Sequence, residues 1–256
     1  MSKIGVIADI HGNLPALKKA LDILEAAYVD RIVVCGDIVG YGSFPNECCA
    51  RIRTLNCPVV AGNHDWAVAG LTEYKESHSI TAAKGIDYTK EVISEENLRW
   101  LKSLPLRHRE NGLEFVHSSL VKGEKWYYLT SHRLSLHSFQ QDVRESFSAL
   151  KGQVCFVGHS HLPRMFLEKQ EGEIEVIDPH RTFYELKDHR SIIDTGSVGL
   201  PRNRSKQASL VMLDTDHQRV YFENFTIGDT PNHSHQPAKK KAVFGKIIRK
   251  LIGRWF

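Results

Sequence analysis

The stretch Ile4-Gly5-Val6-Ile7-Ala8-Asp9-Ile10-His11-Gly12-Asn13 opens the chain with an apolar run that ends in an acid and a histidine. The run 4–8 has the length and composition of a buried strand. The following segment, Leu14–Ala27, carries leucines at helical spacing, with Pro15 in the first turn, where proline is tolerated. Strand, polar turn and helix in this order predict an α/β fold with a polar site at a strand end.

The alternation of strand-like and helix-like segments continues through the first half of the chain, and the second half is mostly strand-like. Helices are predicted at Asn46–Leu55, as two or three helices within Trp66–Leu104, and at Ser138–Leu150. A hairpin turn is predicted at Asn111-Gly112. Later strands are predicted at Arg164–Lys169, Glu173–Ile177, Ser191–Asp194, Ala208–Leu213 and Arg219–Phe222. This order favours two packed sheets flanked by helices.

Four more polar motifs follow strand-like runs, at residues 32–35, 59–61, 113–116 and 154–157. They are Gly36-Asp37, Gly62-Asn63-His64-Asp65, the lone His117, and Gly158-His159-Ser160-His161. Each motif alone has an ordinary explanation as a strand-end turn. All five in order supply imidazoles, carboxylates and one amide, which are ligands that borderline divalent ions accept. The set therefore predicts a metal site at one edge of the fold.

Composition is that of a soluble globular protein, with 256 residues, 41% hydrophobic and 25% charged. The chain enters a strand within three residues, so no signal peptide is expected, and no apolar run approaches the roughly 20 residues of a spanning helix. The cysteines are odd in number and lack metal-finger spacing, which predicts reduced thiols and a cytoplasmic protein. They are Cys35, Cys48, Cys49, Cys57 and Cys155.

The C-terminal residues differ from the rest of the chain in charge. Residues 239–256 hold seven basic residues and no acidic one, so removing them from the net charge of +4 leaves −3 for residues 1–238. Within 239–256, pairs of bulky apolar residues recur every four positions, which predicts a basic amphipathic helix. We expect this helix to bind the anionic surface at the inner face of the cell membrane. Docking on the protein core, an oligomer contact and nucleic-acid binding are the alternatives. We expect a folded domain at 1–227, a flexible linker at 228–238 and this helix.

The five motifs together resemble the calcineurin-like metallophosphoesterase superfamily over roughly residues 1–225. The opening Asp9–Asn13 and the later Gly196–Arg202 are similar to its small single-domain phosphodiesterase branch. The resemblance implies a four-layer αββα sandwich with a dinuclear metal site at one edge of the two sheets. It implies one metal on Asp9, His11, Asp37 and His161, and a second on Asp37, Asn63, His117 and His159, with Asp37 bridging. Manganese is expected first, and iron, zinc, nickel or cobalt would accept the same ligands.

The resemblance also implies an activity, the hydrolysis of a phosphodiester or phosphomonoester in a small phosphorylated substrate. Asp37 would be catalytic as well as a ligand, because a bridging carboxylate holds two cations about 3.5–4 Å apart and a shared hydroxide can then attack phosphorus in line. His64 would be the catalytic histidine, which stabilises developing charge or protonates the leaving oxygen. Asp65 either orients His64 or is an ordinary loop carboxylate.

The second motif departs from that of the protein serine/threonine phosphatases in the same superfamily. They continue it as Gly-Asp-x-Val-Asp-Arg-Gly, whereas this chain has Gly40 and Tyr41 at the acid and arginine positions. Protein phosphatase activity is therefore disfavoured. Tyr41 and Arg202 are the predicted substrate-binding residues, and Arg202 is either a replacement phosphate contact or a surface arginine. Trp126, with the two tyrosines that follow it, either lines a substrate pocket or packs in the core.

Two further interpretations remain open from the sequence. A non-catalytic metal-binding scaffold of the same fold is one, but such proteins lack ligands or the catalytic histidine, and none is missing here. A nuclease is the other, although the acidic body argues against it because duplex binding needs a basic face. Cyclic nucleotides, dinucleoside polyphosphates, phosphoproteins and simple phosphomonoesters all remain open as substrates.

Overall fold

The computed structural model describes residues 2–75, 79–121, 126, 129, 136–169, 172–186 and 189–227. The strands are β1 (Lys3–Ile7), β2 (Arg31–Cys35), β3 (Val59–Val60), β4 (Arg107–Glu110), β5 (Leu113–Val116), β6 (Val154–Val157), β7 (Arg164–Glu168), β8 (Ile174–Ile177), β9 (Tyr184–Glu185), β10 (Arg190–Asp194), β11 (Ala208–Asp214) and β12 (Arg219–Phe225). The helices are α1 (Leu14–Ala26), α2 (Pro45–Thr54), α3 (Asn63–Ala69), α4 (Ile80–Val92), α5 (Glu95–Ser103) and α6 (Leu136–Ala149).

The strands form two six-stranded mixed sheets. The first has the order β3-β2-β1-β11-β12-β9, and the second β4-β5-β6-β10-β7-β8. Strands β1, β2 and β3 are parallel to one another, as are β5, β6 and β10. The carboxyl ends of parallel strands lie at the same sheet edge, which is where ligands bind in α/β folds.

Three apolar cores stack the sheets and helices into four layers. The first core packs the five helices α1 through α5 against one face of the first sheet, for example through Leu17 and Ile52. The second lies between the sheets and contains Val6 and Phe156, and the third joins α6 to the second sheet through Phe147. Both faces of each sheet are therefore buried, which explains why the strands are nearly continuous apolar runs rather than alternating ones. The predicted αββα sandwich is confirmed.

Element boundaries agree with the sequence to within a few residues, with two differences. Helix α3 begins at Asn63, so the third motif lies in a first helical turn rather than in a loop. The two-residue strand β9 was not predicted, because two residues are too few to show a pattern. The predicted hairpin turn is present between β4 and β5, where Asn111 and Gly112 both have positive φ.

The predicted linker at 228–238 and the predicted basic helix at 239–256 lie outside the described residues. Within the described part of the chain, no helix has the length and apolarity needed to cross a bilayer. The five cysteines form no disulfide, and burial raises the pKa of the Cys57 thiol to about 11.

Candidate metal centre

The structure brings all seven predicted ligands to the carboxyl-terminal edge of the parallel strands, and every one of them is buried. The loop after β1 carries Asp9 and His11, and the loop after β2 carries Asp37. Asn63 opens α3 directly after β3. The second sheet supplies His117 after β5, and His159 and His161 after β6. Both sheets therefore contribute to one site.

The first cluster joins Asp9, His11 and His161. The Nδ1–H of His11 donates to the Val39 carbonyl at 3.2 Å, and the Nδ1–H of His161 donates to the Leu200 carbonyl at 2.5 Å. Each Nε2 atom therefore carries a lone pair. The two Nε2 atoms lie only 3.1 Å apart, and Asp9 Oδ1 is 3.2 Å from His161 Nε2. Three electron-pair donors thus point at the same small volume.

The second cluster has the same chemistry. The Nδ1–H of His117 donates to the Cys35 carbonyl at 2.7 Å, so its Nε2, 3.1 Å from Asn63 Oδ1, is the atom that would face a cation once it gives up its proton. The Nε2–H of His159 donates to the Trp126 carbonyl at 2.9 Å, which leaves Nδ1 as the acceptor of that ring. In both clusters a backbone carbonyl fixes the imidazole tautomer that a metal ligand requires.

Asp37 lies between the two clusters. Its Oδ2 atom is 3.6 Å from His11 Nε2 and 3.3 Å from His117 Nε2, and its Oδ1 accepts the backbone N–H of His64 at 2.9 Å. Ligand atoms of Asp37, His117 and His159 all lie within 4.8 Å of one another, as do those of Asp9, His11 and His161. One carboxylate oxygen is thus placed to serve both groups.

The donor set fits divalent cations. Asp9 Oδ1 is buried and accepts no hydrogen bond from any residue in the described part of the chain. Facing lone pairs at about 3 Å repel one another unless a cation or a proton lies between them. Buried imidazole nitrogens and carboxylate oxygens, with an amide oxygen, are the ligands of borderline divalent metals.

The electrostatics show which group carries a proton when no cation is bound. Burial alone would lower the pKa of His117, but the Asp37 carboxylate outweighs it and raises that pKa to about 10. Burial and then the neighbouring His117 lower the pKa of His159 to about 3. Although burial opposes it, the His117 charge holds the pKa of Asp37 far below its usual range. A proton on His117 thus balances the Asp37 charge.

Five of the seven residues have left-handed backbone conformations. A residue with a side chain pays about 1–3 kcal/mol for such a conformation and keeps it only where the surrounding structure enforces it. Backbone hydrogen bonds enforce it here, since the Asp9 N–H donates to the Gly36 carbonyl and the His11 N–H to the Asp37 carbonyl. The φ angles are 54° for Asp9, 51° for His11, 53° for Asp37, 69° for His159 and 61° for His161. Such concentrated strain is typical of a functional site.

The buried Asp194 was assigned no role from the sequence. It holds the loop after β6 that carries His159 and His161, called the two-histidine loop below. Its Oδ2 accepts the hydroxyl of Ser160 at 2.6 Å, and its Oδ1 accepts the N–H of Gly196 at 3.0 Å. Because Ser160 lies between the two histidines, this bond fixes both of them. Asp194 ends β10, beside β6, and this position at the carboxyl end of a parallel strand was the available signal.

Asp65 does not orient His64. Its Oδ1 accepts the N–H groups of Ile38 and Val39 at 2.9 and 3.2 Å, and its Oδ2 accepts the N–H of Gly62 at 2.9 Å. The carboxylate therefore ties the loop after β2 to the start of α3. Asp65 is thus a structural carboxylate in the first turn of α3 rather than a hydrogen-bond partner of the His64 ring.

The His64 ring packs against the Tyr41 ring and the backbone of Gly40. The Tyr41 ring lies 4.9 Å from the His64 ring and 4.8 Å from the His11 ring. Gly40 has φ of 128°, and a Cβ at this position would clash with Nδ1 of His64. Arg202 is exposed, and its backbone N–H donates to the His161 carbonyl at 3.4 Å. Tyr41 and Arg202 therefore border the clusters.

The fold and the site together define an α/β protein with buried clusters of His and Asp that could hold divalent cations. Residues 2–218 match the calcineurin-like phosphoesterase superfamily domain. The chain is 39% identical over 258 residues to an uncharacterized protein of Methanocaldococcus jannaschii, covering 99% of this chain and 95% of that protein. It is 32% identical over 169 residues to a symmetrical bis(5'-nucleosyl)-tetraphosphatase of Aromatoleum aromaticum, covering 62% of this chain and 56% of that enzyme.

A solved structure, a metallophosphoesterase from Sphaerobacter thermophilus, is 32% identical and superimposes with a TM-score of 0.75, covering 88% of each chain. The chain belongs to the calcineurin-like phosphoesterase superfamily. It is accordingly a hydrolase of the phosphoesterase class.

Proposed function

We propose that this protein is a phosphoesterase with two divalent cations, which hydrolyses a phosphodiester or phosphomonoester of a small substrate by in-line attack of water on phosphorus. One observation carries the proposal. Buried electron-pair donors converge in two clusters, and Asp37 Oδ2 lies 3.6 Å from the nearest imidazole nitrogen of one and 3.3 Å from that of the other.

The two cation sites follow from the clusters. Asp9, His11 and His161 would hold one cation with Asp37, and Asn63, His117 and His159 would hold the other with the same carboxylate. When bound, two such cations neutralise charge on phosphoryl oxygens and lower the pKa of water. Manganese is our first choice among the metals that these ligands accept.

The residues around the clusters would bind and orient the substrate. Tyr41 forms a flat wall beside His11 and His64. The exposed Arg202 places a cation near His161, where a phosphate oxygen could pair with it. His64 has no carboxylate at position 40 to support it, because that position is Gly40. We assign His64 to the leaving oxygen, which it protonates as the ester bond breaks.

The same residues decide between substrate classes. A glycine and a tyrosine at positions 40 and 41 remove the acid and the arginine that protein phosphatases of the superfamily carry. A small phosphorylated molecule is therefore favoured over a phosphoprotein. The tetraphosphatase activity in the name of one relative supports nucleotide phosphates as the class to test first.

Hydrolysis of bis-p-nitrophenyl phosphate by purified protein tests this proposal. We expect turnover that a chelator abolishes and Mn²⁺ restores, and a panel of phosphomonoesters, nucleotides and a phosphopeptide then ranks the substrates. A protein that binds two cations and hydrolyses none of them would instead be the metal-binding scaffold.

We also propose that residues 239–256 attach the enzyme to an anionic membrane surface. The support is the sequence alone: seven cations, no acid, and paired apolar residues ending in Trp255-Phe256. Co-sedimentation with anionic liposomes tests this attachment.

A further inference from the structure

Two tryptophans lie beside the second cluster and belong to none of the three apolar cores of the described residues. Trp66 is in α3, directly after Asn63, His64 and Asp65. The Trp126 ring is 5.9 Å from the His117 ring, and the Trp126 carbonyl accepts the Nε2–H of His159. Both indoles are thus tied to residues that would hold or surround a cation.

The two indole rings form a corner. Their centroids are 5.6 Å apart and their planes meet at 84°. Both residues are partly exposed, so part of each ring is open to a ligand. Trp100, by contrast, packs against the first apolar core, which lies between the helices α1 through α5 and the first sheet. Among the described residues, Trp126 thus contacts the metal-ligand cluster and Trp66 rather than an apolar core.

The polar atoms of this corner also indicate a ligand. The Nε1 atoms of Trp66 and Trp126 are both buried, and neither finds an acceptor within the described part of the chain. A buried N–H without an acceptor costs free energy, whereas indoles in folded proteins usually find a partner. A ligand that carries a flat ring and acceptor atoms matches a corner of partly exposed rings whose N–H groups have no acceptor among the described residues.

We propose that Trp66 and Trp126 form an aromatic wall that binds a nucleobase, so that the substrates of this enzyme are nucleotides. The inference rests on the proposed function, because it places the phosphate of the ligand at the two clusters. Stacking suits this wall because every base has a flat π face, and the indole N–H groups can donate to base or sugar oxygens and nitrogens. The wall lies beside His117, whereas Tyr41 lies beside His11 and His64, so the two aromatic surfaces contact different parts of the site.

Two ligands that differ only in the base give a direct test. Adenosine 5′-monophosphate and ribose 5-phosphate carry the same sugar and the same phosphate. We measure each as an inhibitor of bis-p-nitrophenyl phosphate hydrolysis, and each by quenching of tryptophan fluorescence in the metal-loaded protein. We expect the nucleotide to bind about tenfold more tightly than the sugar phosphate, as expected for one stacked base.

Variants then assign the effect to the wall. Trp66→Leu and Trp126→Leu should each reduce the ratio of the two affinities severalfold, because leucine retains apolar bulk but cannot stack. The Phe variants at both positions should keep most of the ratio. Trp100→Leu is the matched control, and its ratio should equal that of the wild type. Circular dichroism and metal content show which variants are folded and loaded.

Each result decides the inference. Equal affinities of the two ligands for the wild-type protein overturn it, and so do folded Leu variants that keep the wild-type ratio. If a Leu variant does not fold, the Phe variants and the wild-type ratio decide. A protein that prefers the nucleotide in the fluorescence titration but hydrolyses no ester would keep the wall and refute the proposed function. A hydrolase without this preference would refute the wall alone.

Discussion

Replacing Asp37 with asparagine separates metal binding from the rest of the fold. The amide keeps Oδ1 as the acceptor for the His64 N–H, which is now 2.9 Å away. It places an N–H₂ donor where Oδ2 stood, 3.3 Å from His117 Nε2 and 3.6 Å from His11 Nε2. The metal-free site exchanges the ion pair between His117 and Asp37 for a neutral contact, whereas the bound site loses a shared charge. Loss of a partner outside the coordination sphere costs about 10–100-fold in metal affinity. We expect more than about 100-fold for Asp37→Asn.

The companion variant is His64→Ala, which should keep metal binding and lose turnover. The proposed cation ligands stay in place, so both cations should bind as in the wild-type protein. Turnover should fall by about 10²–10⁴, the usual contribution of a positioned acid or base, with little change in KM. His64→Gln is the matched control for loss of ring volume, since it also lacks a titrating imidazole.

Calorimetric titration of metal into the metal-free proteins, together with steady-state kinetics on one phosphodiester, distinguishes the two variants. The ligand atom of His64 lies within 4.8 Å of those of His11 and Asp37, so a ligand role for His64 is a real alternative. If His64→Ala lost one cation, or if Asp37→Asn bound two with wild-type affinity, our assignment of these residues would be wrong.

Three other perturbations test separate parts of the account. Asp194→Ala should weaken metal binding about 10–100-fold, as measured by competition with a chelating dye, because it releases the two-histidine loop; unchanged affinity would argue against a supporting role. Gly40→Ala should abolish turnover through its clash with His64, whereas Gly70 also has a positive φ, of 74°, but open space around it, so Gly70→Ala should remain active; equal activities in the kinetic assay would contradict this. The full chain should co-sediment with anionic liposomes and a chain lacking residues 239–256 should not, and equal partitioning of the two would refute membrane attachment.

The placement of the site could be predicted from the sequence because of how the strands end. Each motif follows an apolar run, and parallel strands bring their carboxyl ends to one edge, so Asp9 and His117 could be expected near each other although they lie on different sheets. The αββα architecture came from the resemblance, and the three apolar cores show how the sequence achieves it.

Other features depend on contacts between distant segments, which no local pattern reveals. The left-handed conformation of Asp9 is enforced by the loop after β2, and the hydrogen bond that the Ser160 hydroxyl donates to Asp194 spans 34 residues. Asp65 looks like a partner of His64 in sequence, but its oxygens accept three backbone N–H groups instead. The corner of Trp66 and Trp126 joins a helix to a remote loop.

The number of divalent cations per chain tests the central claim most directly. We would strip the protein with a chelator, titrate Mn²⁺ into it by calorimetry and follow phosphodiester hydrolysis in parallel samples. The account predicts two bound cations per chain, no turnover without metal, and full activity only when both sites are filled. Hydrolysis by the metal-free protein, or full activity with a single bound cation, would contradict it.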